Sequence, residues 1–416
     1  MNPPFDTESL VAHARGLDAA DPLRSFRDAF VVDDPELIYL DGNSLGRLPI
    51  RTDERVRQVV SEEWGTRLVN GWGDGWIDLP RRLGGKIAGL IGALPEEVIV
   101  CDSTSVNLYK LAMAALDGRP GRSKVLTDAS NFPSDVYILA GCAAQTGREL
   151  IVVEPDELAS SLDRDTALVS ASHVAFKSGA IADMVSVTDA AHTVGALTLW
   201  DLSHSVGALP INLNAASVDL AIGCTYKYLN GGPGSPAFLF VRKELQDELV
   251  SPIRGWFGQA DAFAFGLEYT PAPGLDRFLA GTPPILSMAA IEAGVDLVIE
   301  VGIDRLRAKS VAQTEFLVRL WQALLEPLQV SLNSPVDPGR RGSHVSIGHP
   351  NAFQIDQALI HEKNVIPDFR CPDSIRFGVT PLYTTFEQLA KAILRTRSVI
   401  EDGSYRRYSP EPSRVT

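Results

Sequence analysis

Leu197-Thr198-Leu199-Trp200-Asp201-Leu202-Ser203-His204-Ser205 is one of two stretches that decide the fold. The other opens with Val218-Asp219-Leu220-Ala221-Ile222 and continues through Thr225-Tyr226-Lys227-Tyr228-Leu229-Asn230-Gly231-Gly232-Pro233-Gly234-Ser235. Each begins as a short, mostly apolar run and then turns polar. The same rhythm recurs on either side, at Val125-Leu126-Thr127, Leu150-Ile151-Val152-Val153, Ala167-Leu168-Val169-Ser170 and Ala237-Phe238-Leu239-Phe240-Val241. Helix-like stretches, such as Val185 to Val194, lie between several of the runs. Apolar strands alternating with helices predict an α/β fold with a mainly parallel sheet covered on both faces. Ligands of such sheets bind beyond the carboxyl ends of the strands. The polar residues that follow each run are therefore the place to look for chemistry.

Further along, the pattern changes. Lys309 to Leu325 has Val311, Phe316, Leu317, Leu320 and Leu324 near helical spacing, with Pro327 to stop it. Strand-like pieces follow at Val330-Ser331-Leu332 and His344-Val345-Ser346-Ile347, and Phe386 to Ile400 reads as a closing helix. This α+β pattern predicts a smaller C-terminal domain over 283–416. It leaves a large domain over 51–282 and an N-terminal segment, 1–50, that packs with the small one. The tail from Ser409 is expected to fray.

Composition narrows the function. The 52 acidic residues outnumber 38 basic ones, for a net charge of -14, which argues against nucleic-acid binding. Cys101, Cys142, Cys224 and Cys371 have no zinc-ligand or redox spacing, so buried, reduced thiols and no metal site are expected. Met1 to Asp6 shows no basic run leading into an apolar stretch, so no signal peptide is expected. No apolar run approaches the ~18 residues of a membrane span. A cytoplasmic protein follows as the expectation.

Lys227 lies just past an apolar strand, between two tyrosines and ahead of a glycine-rich turn. A lysine desolvated there becomes nucleophilic, as a Schiff-base lysine must be. The alternative is a surface lysine beside a turn. Asp201 ends the preceding strand, where a carboxylate can keep a ring nitrogen protonated or, alternatively, cap a helix. One strand-to-strand step separates the two, so acid and amine should sit at the ends of neighbouring strands. That pair is the minimum site for pyridoxal phosphate. Asp102-Ser103-Thr104-Ser105, after the run Val98-Ile99-Val100 and before a helix-like stretch from Leu108 to Leu116, offers hydroxyls and free N–H groups to a phosphate. In Ser130-Asn131-Phe132-Pro133-Ser134-Asp135, Phe132 can stack on a flat ring and Asp135 can accept a hydrogen bond.

Together with Tyr39-Leu40-Asp41-Gly42-Asn43-Ser44-Leu45-Gly46, these segments resemble the kynureninases. That family comprises class V pyridoxal-phosphate enzymes of the aspartate-aminotransferase fold, and the likeness runs from about Ile38 to Arg397. The resemblance implies that Lys227 bonds the cofactor aldehyde, that Asp201 pairs with its ring nitrogen beside His204, and that Phe132 stacks on the ring near Ser134 and Asp135. Thr104, Ser105 and Tyr226 would hold the phosphate, Tyr226 also passing a proton, and Ser172 would approach the cofactor. It further implies a homodimer with shared sites, Trp256 and Thr282 coming from the partner. Arg376, in Ile375-Arg376-Phe377-Gly378, would take the substrate α-carboxylate, a role suited to its guanidinium fork. Trp64, Trp256 and Phe132 would form an apolar slot.

The implied reaction splits the Cβ–Cγ bond of L-kynurenine or 3-hydroxykynurenine with water. The products are anthranilate or 3-hydroxyanthranilate and L-alanine, in tryptophan catabolism. Two stretches depart from the common bacterial pattern. Ala175 and Phe176 stand where many bacterial members have Asn and Tyr, and the segment Trp64 to Trp76 is shorter and glycine-rich. These departures motivate a rival reading, a related enzyme of secondary metabolism that eliminates across a C–S bond or deaminates oxidatively. A non-catalytic binding protein on the same fold is the other alternative.

Overall fold

The apolar runs assemble into one seven-stranded sheet. In the computed structural model, which describes residues 7–411, its order is Val98–Val100, Phe238–Val241, Leu220–Gly223, Leu197–Asp201, Thr166–Ser172, Lys124–Asp128 and Glu149–Val153. Phe238–Val241 runs antiparallel to both neighbours, and the remaining pairs are parallel. The four strands from Thr166 to Val241 that form the middle of the sheet are buried at every position, as continuous apolar runs require. Helices Thr104–Asp117, Pro133–Gln145 and Met184–Val194 connect the strands. Ile99, Leu111, Val125, Leu139, Leu168, Leu199, Ile222 and Leu239 belong to the core between sheet and helices. Each such side chain contributes ~1.5–3 kcal/mol by leaving water.

Register fixes what stands at the sheet's carboxyl edge. Ser172 pairs with Asp201, and Asp201 pairs with Ile222, in parallel ladders. Ser172 and Asp201 therefore end adjacent strands side by side, and Lys227 follows a few residues after Gly223.

The chain divides into two compact units. The larger holds Arg51–Phe176 and Ala182–Ile299; the smaller holds the residues up to Ile50, Lys177–Ile181 and Glu300–Thr416. The expected boundary at 283 thus falls at 299–300 instead. Pro283-Pro284 breaks the pattern, but it opens the continuous helix Ile285–Val301 rather than a new unit, because proline is tolerated where helix N–H groups lack partners. Lys177–Ile181 joins the smaller unit through an Ala180–Arg341 bridge and a bond from Ser334 Oγ to Ser178 O at 2.6 Å.

The smaller unit is α+β. Its sheet runs Asp368–Arg370, Ser374–Gly378, His344–Gly348, Ser331–Leu332, all antiparallel, and Ile38–Tyr39 pairs in parallel with Val365–Ile366. Helices Thr7–Ala20, Ile303–Leu324, Ala352–Lys363 and Phe386–Asp402 enclose its core. Three cysteines are buried as expected, but Cys371 is exposed, because it sits with Pro372 in the turn after Arg370. Among the described residues no helix is long and apolar enough to cross a membrane. The expectations for Met1–Asp6 and for the tail beyond Glu411 lie outside the described residues.

Candidate active site

The carboxyl edge of the large sheet gathers an ammonium, an imidazole and two carboxylates. Lys227 Nζ lies 3.3 Å from His204 Nε2 and 3.4 Å from Nδ1, 5.9 Å from the Phe132 ring centre and 6.0 Å from that of Tyr226. The loop that carries it is pinned from below. Thr225 Oγ1 donates to the Pro236 carbonyl and meets Ser235 Oγ, both at 2.6 Å, and Gly231 N bonds back to Thr225 O at 2.8 Å. The turn between is left-handed at Asn230, Gly232 and Gly234, with φ of 54°, 87° and 71°, which explains two of its glycines.

Asp201 is buried, and its Oδ1 accepts from Ser203 N at 2.8 Å. Burial raises its carboxyl above the usual range, while Ser203, Lys227 and Ser172 pull the other way. Asp135 is raised well above its ordinary value, first by burial and then by the Asp201 charge, with Lys227 opposing. Its Oδ2 is buried with no hydrogen-bond partner among the described residues. The two desolvated carboxyls oppose each other's ionisation, and burial with the Asp201 charge holds Asp135 the further above its ordinary value. Tyr226 is raised first by Cys224 beside it and then by burial.

Two helix N-termini form the rest. Ser103 caps the Thr104–Asp117 helix, its Oγ accepting from Val106 N at 3.3 Å. Pro133 starts the next helix, and Ser134 Oγ lies 3.3 Å from Ser105 Oγ. Hydroxyls at the N-termini of two helices thus meet, an arrangement that suits an anion. Phe132 is 38% exposed beside Lys227, a lid rather than a core residue, and Phe176 meets it edge-on at 5.2 Å. An aromatic ring thus occupies the departure at 176.

Trp64 and Trp256 line separate grooves. Trp64 shares a groove of about 470 Å³ with Val59, Trp76 and Pro283–Ser287, directly after Thr282. Trp256 packs on Phe257 at 4.4 Å and Phe263 at 5.8 Å, and both it and Thr282 are exposed. In the smaller unit, Arg376 is buried rather than on the surface. It is ion-paired with Asp368 and donates to Ser44 Oγ at 3.1 Å, and Arg370 binds the other oxygen of Asp368 at 2.6 Å.

Two contributors escaped the sequence reading. Asn131 Oδ1 accepts from Ser172 Oγ and from Phe132 N, both at 2.8 Å, and its Nδ2 donates to Thr127 Oγ1 at 3.0 Å. Ser203 orients Asp201 and accepts from Cys224 N at 3.1 Å. Both lie inside quoted motifs, but the bonds to Ser172 and Cys224 join them to other strands and come only from the fold.

Residues 306–395 match the family model described as Kynureninase C-terminal domain. The chain is 45% identical over 386 residues to a kynureninase of Pseudomonas fluorescens, covering 91% of this chain and 92% of that one. It is 42% identical over 401 residues to a kynureninase of Burkholderia mallei (strain SAVP1), covering 94% and 96%. Among solved structures, a cysteine desulfurase from Thermococcus onnurineus NA1 superposes with a TM-score of 0.77 at 19% identity, covering 88% of this chain and 95% of that one. The cystine C–S lyase C-DES gives 0.77 at 19%, covering 87% and 98%. At those identities the structures share the fold alone.

Proposed function

This chain belongs to the kynureninase family, and we propose that it hydrolyses L-kynurenine, or its 3-hydroxy derivative, at the Cβ–Cγ bond with pyridoxal 5'-phosphate as cofactor. The products are anthranilate, or 3-hydroxyanthranilate, and L-alanine. One observation carries the reading. An amine, Lys227, and a buried carboxylate, Asp201, stand at the ends of neighbouring parallel strands.

The residues fit the cofactor. A protonated ring nitrogen supplies the cation that buried Asp201 calls for, and the Ser105–Ser134 cradle between two helix N-termini suits a phosphate. Bound there, the cofactor supplies an aldehyde for the substrate amine and a pyridinium that stores the electron pair left at Cα. Lys227 would provide the amine for the cofactor aldehyde and would move the proton at Cα. Asp201 keeps the ring nitrogen protonated, with His204 beside Lys227. Phe132 covers the ring face and keeps water off it. Thr104, Ser105 and Tyr226 hold the phosphate, Ser134 supports Ser105, and Tyr226 passes a proton. Ser172, held by Asn131, approaches the cofactor, and Asp135 contributes a second carboxyl whose pKa burial raises. Arg376 takes the α-carboxylate, with Asp368 and Ser44 fixing its guanidinium. Trp64 helps form the slot for the aryl group.

We further propose a homodimer in which Trp256 and Thr282 serve the partner's site. Exposed Phe263, Phe265 and Leu267 beside Trp256 support this, since a contiguous apolar patch marks an association surface. The free thiols support a reducing, cytoplasmic setting, and the family relatives support a place in tryptophan catabolism. The C–S elimination reading is not favoured, because its representatives resemble this chain in fold only.

The test is to offer the purified protein L-kynurenine, 3-hydroxykynurenine and a cysteine S-conjugate side by side. The proposal expects arylamine acid and alanine from a kynurenine and little pyruvate from the conjugate. Pyruvate and thiol from the conjugate, with kynurenine untouched, would sink it.

A further inference from the structure

Lys110 is a buried cation that none of these roles uses. It lies on the Thr104–Asp117 helix with its side chain 0% exposed. Nζ donates to Asp102 Oδ2 and to the Phe278 carbonyl, both at 2.7 Å, and lies 3.4 Å from Cys101 Sγ. Burying an ammonium is costly, and an apolar residue of similar volume would fill the same space without that penalty. The contacts it makes therefore call for an explanation.

They lead to two places. Asp102 is left-handed, with φ 47°, immediately before Ser103, which caps the helix bearing Thr104 and Ser105. Its backbone is held as well, Ala237 N donating to Asp102 O at 2.8 Å. Lys110 reaches back along its own helix, as helical side chains do, and fixes the Asp102 carboxylate under the turn that aims the cradle. The other arm grips Phe278, at the end of the Gly274–Phe278 turn, a few residues before Thr282. Two residues past Phe278, Ala280 O accepts from Phe257 N at 3.2 Å. A Cβ on Gly255 would come within 2.1 Å of that same carbonyl oxygen, so the backbones flanking Trp256 and Thr282 lie in direct contact.

We infer that Lys110 is a positioning residue that couples cofactor binding to subunit pairing. It ties the anion cradle of a protomer's own site to the segment whose Trp256 and Thr282 serve the partner's site. This rests on the shared-site reading proposed above.

The test uses the full chain with Lys110→Met, which keeps the stem and removes the ammonium, and with Asp102→Asn, which removes the carboxylate charge from the cradle arm and leaves the Phe278 arm in place. Cofactor affinity is read by equilibrium dialysis. The monomer–dimer equilibrium is read by sedimentation without ligand, with pyridoxal 5'-phosphate, and with inorganic phosphate alone. In the wild type the cofactor should tighten the dimer. Lys110→Met should weaken cofactor binding about tenfold or more and abolish the tightening. Asp102→Asn should weaken cofactor binding but leave ligand-free pairing as in the wild type. If Lys110→Met fails to fold, Asp102→Asn alone decides, and unaltered cofactor affinity there would overturn the inference. So would a Lys110→Met protein with a lower melting temperature but unchanged affinity and linkage. A wild type that stays monomeric in every condition would overturn the shared-site reading itself, and the coupling with it.

Discussion

Replacing His173 with glutamine should change how the stability of the large unit responds to acid. His173 follows Ser172 at the carboxyl edge of the sheet and is 8% exposed. Its ring stands edge-on to Trp200 at 6.4 Å, and its Nδ1 is buried with no hydrogen-bond partner among the described residues. Burial alone pushes the imidazole down from 6.5 to about 4. The folded state therefore refuses a proton that the unfolded chain accepts. The stability tied to the neutral ring is fully present above ~6.5 and is lost as the pH falls to about 4. A depression of ~2.5 units at 1.36 kcal/mol each makes the loss about 3 kcal/mol. For a unit of this size that is roughly 6–12 °C of melting temperature. Glutamine has no such proton to refuse. Near neutrality the variant should melt below the wild type, because it loses the ring's packing on Trp200. Thermal scans from about pH 7 to about pH 4 should show that gap shrinking by about 3 kcal/mol. Melting curves that stay parallel across the range would refute the reasoning.

Asp356, buried in the smaller unit, is raised by burial to about 7. Its folded pKa exceeds the unfolded one, so stability falls as pH rises from ~4 to ~7, and Asp356→Asn should gain up to about 4 kcal/mol above that range and nothing below it; urea unfolding at both ends of the range checks this. Asn131→Ala removes the acceptor shared by Ser172 and Phe132 and should cost about 1–3 kcal/mol of cofactor affinity, read by equilibrium dialysis. Arg376→Lys should raise KM for kynurenine at least ~10-fold with a smaller change in kcat, because an ammonium cannot replace the fork that serves a carboxylate and Asp368 together. An unchanged KM would remove Arg376 from the substrate site.

The large sheet was legible because its four middle strands are buried at every position and so read as mostly apolar runs. The step from Asp201 to Lys227 spans one strand-to-strand connection, and parallel pairing of Leu197–Asp201 with Leu220–Gly223 brings the two strand ends side by side. The helix from Thr104 was expected only from Leu108, because Thr104, Ser105 and Asn107 are polar and Val106 alone makes no apolar stripe in the first turn. The break at Pro283-Pro284 misled the domain boundary, since proline marks a helix start as readily as a linker. Asn131 and Ser203 were invisible as functional residues, because their bonds to Ser172 and Cys224 reach across strands. Arg376 was placed by resemblance alone; nothing local in Ser374–Gly378 announces the buried Asp368 across the ladder. Lys110 reads as an ordinary helical lysine until tertiary structure buries it.

The most direct test of the central claim is the absorption spectrum of the purified protein with pyridoxal 5'-phosphate, recorded while L-kynurenine is added, beside the same experiment on Lys227→Ala. The account predicts a visible cofactor band in the wild type and anthranilate formed in step with L-alanine, with neither turnover nor the lysine-bound band in the variant. A wild-type band that yields no anthranilate, or a variant that turns over normally, would contradict it.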